Sequence, residues 1–157
     1  IDMGPAYIEW QDIPLSEEMD TLSLNISEGI LKNPVAVGVG NPHAVFFVND
    51  INTINLKKIG PTIEHHPFYP NRTNVSIAEI LTPNKIRCRV WERGAGLTLA
   101  CGTGACATLI AAVRRGLTER KAIVELDGGS LEIEWCKDNH VFMSGPTQIN
   151  FTGTWTT

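Results

Sequence analysis

The feature that most limits how this chain can fold is a helix, apolar on nearly every side, that starts from a glycine-rich cysteine turn. From Gly102 onward the turn residues give way to Ala105, Cys106, Ala107, Leu109, Ile110, Ala111, Ala112 and Val113, and the run closes on Arg114, Arg115 and Gly116. Cations in a last turn face the negative end of the helix dipole, and a glycine just beyond accepts the left-handed conformation that ends the ladder. A helix with no polar face has to be surrounded. Short runs of alternating polarity at Ala6 to Trp10, Val35 to Val39, Ala44 to Val48, Val75 to Ile80, Lys85 to Trp91, Ala122 to Leu126, Leu131 to Trp135 and Val141 to Met143 predict strands that can do so. Asp127-Gly128-Gly129 predicts a hairpin between two of them. A short helical piece is expected near Leu56 to Ile59. One buried helix among many strands predicts an α+β domain, mostly β and wrapped around that helix.

With 157 residues, 43% of them hydrophobic and 19% charged, the chain can bury one sizeable core. A formal net charge of -4 leaves no basic stripe, which argues against nucleic acid and anionic membrane surfaces as partners. The longest apolar stretch is too short to span a bilayer, and no signal peptide is visible. The four cysteines fit neither paired CxxC zinc spacing nor a disulfide scaffold, so a reducing, cytoplasmic setting without a metal is expected. The opening Ile1-Asp-Met-Gly-Pro-Ala-Tyr reads like the middle of a protein. The expected division is a crossing segment over 1–34 and one compact domain over 35–157.

The chemistry concentrates at the start of the helix. Cys101 sits where unpaired backbone N–H groups and the positive dipole end stabilise a thiolate or bind an anion, and Gly102 and Gly104 leave its surroundings open. Cys88, which alternates with Ile86 and Val90, is read as a packing residue, as are Cys106 and Cys136. Glu92 and Arg93 stand at a strand end leading into the cysteine turn, where a guanidinium fork could hold a carboxylate and a carboxylate an ammonium group, or where the two could be a solvated pair. Asn41-Pro42-His43 follows the flexible Gly38-Val39-Gly40. His43 could be a general acid or base, or a histidine that only hydrogen-bonds the turn. Asn74 lies where a loop enters a strand and reads equally as an Asx turn.

In matching order, Gly40-Asn-Pro-His43, Arg72-Thr-Asn-Val75 and Glu92-Arg-Gly-Ala-Gly-Leu-Thr-Leu-Ala-Cys-Gly-Thr-Gly-Ala105 resemble the diaminopimelate epimerase family. The resemblance continues through Gly128-Gly and Met143-Ser-Gly-Pro146, and covers Ile1 to about Trp155. It implies a cofactor-independent epimerase that converts LL-2,6-diaminopimelate to the meso form, serving lysine and cell-wall synthesis. It also implies two similar domains, each a mixed, mostly antiparallel sheet curled around a central helix, with the active site between them. Inverting a stereocentre without pyridoxal phosphate takes a base on one face and an acid on the other. By resemblance Cys101 is one of two such cysteines, with His43 near the reacting centre. Asn41, Asn74, Glu92, Arg93 and the backbone donors of Gly102 and Thr103 then hold substrate. The partner cysteine belongs to an N-terminal domain that this chain lacks, so the chain alone is expected to be inactive. Phe151 stands where relatives can carry a tyrosine used in dimer contacts, which leaves a homodimer open. Two other readings stay in play: a proline or hydroxyproline racemase-type epimerase of the same fold group, and a non-catalytic binding domain. The Glu92–Arg93 pair favours diaminopimelate over a cyclic imino acid, which has no distal charged end.

Overall fold

The computed structural model describes residues 1–155; the last two residues of the domain expected over 35–157 lie outside the described residues. Nine strands form one sheet in the order β1 (Asp2–Pro5), β11 (His140–Ser144), β10 (Gly129–Trp135), β9 (Lys121–Leu126), β7 (Lys85–Glu92), β6 (Asn74–Thr82), β5 (Pro42–Phe47), β4 (Val35–Gly38), with β8 (Gly96–Thr98) added beside β7. Only the β5–β6 and β7–β9 pairings are parallel; the rest are antiparallel. The sheet curls until its two ends nearly meet. Just past β1, Tyr7 exchanges backbone hydrogen bonds of 2.9 and 2.8 Å with Gly38 of β4, so residues 1–7 bridge β11 on one side and β4 on the other. A separate small hairpin pairs β2 (Ser27–Glu28) with β3 (Leu31–Lys32).

Inside the curl runs α2 (Gly102–Arg114), packed against β4, β5, β6, β7, β9, β10 and β11. Gly104 through Ala112 are all buried, as the all-apolar sequence requires. Arg115 caps the helix and Gly116 takes φ +67° just beyond it. The two arginines reach outward rather than back along the helix. Arg114 donates to Ala36 O and Thr21 Oγ1, and Arg115 to Leu22 O and Asn33 O, which pins the 20–33 stretch against the domain.

A second core lies on the outer face of β4, β5 and β6. There Ala36, Ala44, Phe46, Val75 and Ile77 meet Ile13, Leu15, Leu24, Ile26 and Leu31, a 3₁₀ turn at Ile51–Thr53 and α1 (Leu56–Glu64). These strands are therefore covered on both faces, with α2 within and α1 without.

Two sequence expectations need correction. The strand expected over Ala6 to Trp10 falls instead at Asp2–Pro5, because pairing with β11 selects the residues; of the expected run only Tyr7 pairs, through its bridge to Gly38. The helical piece near Leu56 to Ile59 extends to Glu64, through Pro61. Asn55 starts it by accepting from Lys58 N (3.3 Å), and Pro61 removes one ladder donor without stopping the turn. The hairpin at Asp127-Gly128 forms as expected, with Leu126 paired to Gly129. No helix among the described residues is long and apolar enough to cross a membrane.

Candidate functional site

Strand parity delivers the side chains. Ile86, Cys88 and Val90 of β7 face the inner core, so Glu92, two residues on, points the same way, while Trp91 faces α1 outside. A turn over Arg93–Ala95, closed by Ala95 N donating to Glu92 O (3.0 Å), returns the chain as β8. β8 pairs with β7 at residues 90–92, whereas β9 pairs with β7 only at residues 85–87. The chain leaves β8 through Leu99 and Ala100 and becomes α2 at Cys101.

Cys101 is the N-cap of α2, with extended backbone (φ -143°, ψ 109°). Its sulfur accepts from Gly104 N at 3.3 Å and lies 3.6 Å from Thr103 Oγ1. The first-turn N–H groups of a helix have no intrahelical acceptor. Gly104 N is satisfied by the sulfur and Ala105 N by Cys101 O at 3.0 Å, while Gly102 and Thr103 carry the other two donors of that turn. The residue is only 7% exposed. Burial pushes the thiol up from its ordinary value, and the Glu92 carboxylate raises it further, against the lowering effects of Thr103 and Gly104 N. Desolvation and the neighbouring negative charge therefore oppose the lowering that a helix mouth exerts on a thiol.

A row of polar groups leads away from the sulfur. Asn41 Nδ2 donates to Thr103 Oγ1 at 3.3 Å, and Asn41 Oδ1 accepts from His43 Nε2 at 2.9 Å. His43 is fully buried, with Nδ1 unpartnered; burial first and Arg93 second hold its pKa down at about 3, so the ring is neutral. It stands behind Asn41 rather than at the open edge of the site. Asn74, paired in register with His43, braces two backbones: Nδ2 donates to Pro42 O (2.9 Å) and Oδ1 accepts from Arg93 N (2.9 Å). The Arg93 side chain is exposed and donates one prong to Asn71 O at 2.9 Å. Glu92 Oε1 accepts from Thr98 Oγ1 at 2.6 Å, a contact that sequence reasoning missed because it joins the two strands of a hairpin.

The other cysteines lie apart from this arrangement. Cys88 is fully buried against Thr108 Oγ1 (3.3 Å), Cys106 is fully buried within α2, and for both burial pushes the thiol up to about 12. Cys136 is half-buried after β10 and also raised by burial. Among the described residues no group of His, Cys, Asp and Glu has a metal-binding arrangement. Phe151 lies beyond β11, 88% exposed.

The chain spans about half the length of the curated relatives it matches. It is 55% identical over 153 residues to a diaminopimelate epimerase of Rhodospirillum centenum, covering 98% of this chain and 53% of that one. It is 54% identical over 154 residues to a diaminopimelate epimerase of Erythrobacter litoralis, covering 98% and 57%. Among solved structures, a probable proline racemase from Agrobacterium radiobacter K84 superposes with a TM-score of 0.57 at 15% identity, over 88% of this chain and 46% of that one. A protein described as a predicted epimerase, from Pseudomonas aeruginosa, superposes with a TM-score of 0.53 at 15% identity, over 96% and 58%. At such identities these two show a shared fold alone: an α+β mixed sheet curled around a helix. The sequence profile of diaminopimelate epimerase matches residues 35–150, and with relatives above half identity across nearly its whole length, this chain belongs to the diaminopimelate epimerase family.

Proposed function

We propose that this chain supplies one half of a cofactor-independent epimerase that converts LL-2,6-diaminopimelate to the meso form, with residues 35–157 as its C-terminal domain and Cys101 as one of two acid/base thiols. The observation that carries the reading is the sulfur of Cys101 held at the N-cap of α2, with the Gly102 and Thr103 amides in the same turn and the Glu92 carboxylate beside it. Those amides suit the α-carboxylate of an amino acid, whose negative charge grows as the α-proton leaves. A thiol that burial pushes up suits the acid of an acid/base pair, which protonates one face of the carbanion while a base strips the other. Arg93 takes the carboxylate of the distal end, Glu92 takes an ammonium group, Asn41 and Asn74 orient the substrate, and His43 fixes Asn41. The opposing thiol comes from the half that the longer relatives contain.

The test uses the complete two-domain polypeptide with LL-diaminopimelate in D2O, with NMR following deuterium at the α-carbon and chromatography following the meso product. Wild type should form meso product, and Cys101→Ala and the 157-residue chain alone should not. Turnover by Cys101→Ala would remove the sulfur from the chemistry.

A further inference from the structure

Glu64 is a buried carboxylate with no part in the chemistry above. It is the last residue of α1, only 4% exposed, and every group on its carboxylate is a donor from the segments that carry the proposed substrate contacts. Oε2 accepts from Trp91 Nε1 at 2.7 Å. Oε1 accepts from Gly94 N at 3.0 Å and from Arg72 Nη1 at 3.1 Å. Its own carbonyl accepts from Thr73 N at 3.1 Å. Burial alone would push this carboxyl up, but the Trp91 and Gly94 N–H groups and the nearby His65 and Arg72 charges hold it below the usual range.

The partners bracket the site in sequence. Trp91 and Gly94 flank Glu92 and Arg93; Arg72 and Thr73 directly precede Asn74. Arg72 sits at φ +61°, a conformation uncommon for a side-chain-bearing residue, and its guanidinium is tied to Glu64. The two loops also grip each other, since Arg93 N donates to Asn74 Oδ1 and Arg93 Nη1 to Asn71 O. Helix α1 can bring the carboxylate this close because residue 60 is glycine: a Cβ there would lie 2.6 Å from the Trp91 ring.

We propose that Glu64 is a positioning residue: one buried carboxylate that locks the 71–74 and 91–94 segments together and so sets the Arg93 guanidinium and the Asn74 amide for the substrate's distal end. This rests on the epimerase reading above. Because all three side-chain partners donate, a glutamine at this position turns an NH₂ group toward at least one of them, while an aspartate keeps the charge but withdraws it by a methylene.

The experiment measures steady-state epimerisation of LL-diaminopimelate by the complete polypeptide as wild type, Glu64→Gln and Glu64→Asp, with circular dichroism and the rate of Cys101 alkylation as checks on the fold. The expected result is a KM raised about tenfold or more in both variants, with kcat and Cys101 alkylation changed far less. Aspartate should be the milder of the two. A folded variant with KM unchanged, or one in which kcat falls while KM holds, overturns the proposal, as does failure of both variants to fold, which would make Glu64 a folding residue only. A wild type that does not epimerise refutes the function itself, a separate outcome from a wild type that works and a Glu64→Gln that works equally well.

Discussion

Replacing Gly104 by alanine sets two opposing effects against each other at the turn that carries Cys101. Alanine inside a helix is favoured over glycine by about 1 kcal/mol, because it loses less backbone entropy on folding. The new Cβ would, however, lie 2.9 Å from Val90 Cγ2, 3.2 Å from Cys101 Sγ and 3.3 Å from Cys101 Cβ. Val90 is 1% exposed and paired on both sides, to Ser76 and Thr98, so it cannot retreat. The sulfur is the freer neighbour, and moving it breaks its bond with Gly104 N. Overpacking of this kind costs about 1–3 kcal/mol, and a buried N–H left without an acceptor costs a similar amount. The clash wins: after the ~1 kcal/mol gain from alanine, we expect net destabilisation of about 1–5 kcal/mol. Urea denaturation of wild type and Gly104→Ala should show a lower midpoint at unchanged slope. Alkylation of Cys101 by iodoacetamide, located by peptide mass mapping, should change rate in the native variant. A variant more stable than wild type, with Cys101 alkylated at the wild-type rate, would refute the claim that glycine is required here by close approach to the sulfur.

His43 should give the protein part of its acid sensitivity. Its ordinary pKa of 6.5 is held down at about 3 in the fold, so between those values the unfolded chain binds a proton that the native state refuses, and stability falls as pH falls. The slope from this one group approaches about 1.4 kcal/mol per pH unit, and His43→Gln should flatten the acid limb of a stability–pH curve; parallel curves would show that the ring is not buried neutral. Arg93→Lys keeps the charge and loses the planar fork. In the complete polypeptide it should raise KM for diaminopimelate roughly tenfold, with a melting temperature near wild type because the side chain is exposed; an unchanged kcat/KM would take Arg93 out of the site.

The strands from β4 onward were largely legible because their apolar runs are bounded by turn residues, and the turn at Asp127-Gly128 announced its own hairpin. What could not be read depends on partners distant in sequence. β1 is placed by β11, more than a hundred residues later, so the better-alternating Ala6 to Trp10 run lost to Asp2–Pro5. β8 has three residues, the first a glycine, and exists because β7 offers an open edge there. In α1, Gly60-Pro61 reads as a break, whereas the glycine makes room for the Trp91 ring and the proline costs a single ladder bond. The 9–34 stretch has little regular structure to announce, yet Ile13, Leu15, Leu24, Ile26 and Leu31 form one side of an outer core.

At the site, the position of Cys101 was legible because helix start, glycines and cysteine are neighbours in sequence. The upward push on its thiol was not, since that follows from what surrounds it in space. The inward register of β7 runs Ile86, Cys88, Val90 and then Glu92, so the parity that builds the core also aims a carboxylate at the sulfur. The apolar helix that must be enclosed is the same helix whose first turn holds the thiol, so enclosing it desolvates the sulfur. Burial and the carboxylate both favour the protonated form. A helix N-terminus buried this way keeps its first-turn amides while losing the solvation that favours a thiolate at an exposed N-terminus. One fold requirement therefore sets two features of the same turn: a desolvated sulfur and the fixed positive dipole of the helix beside it.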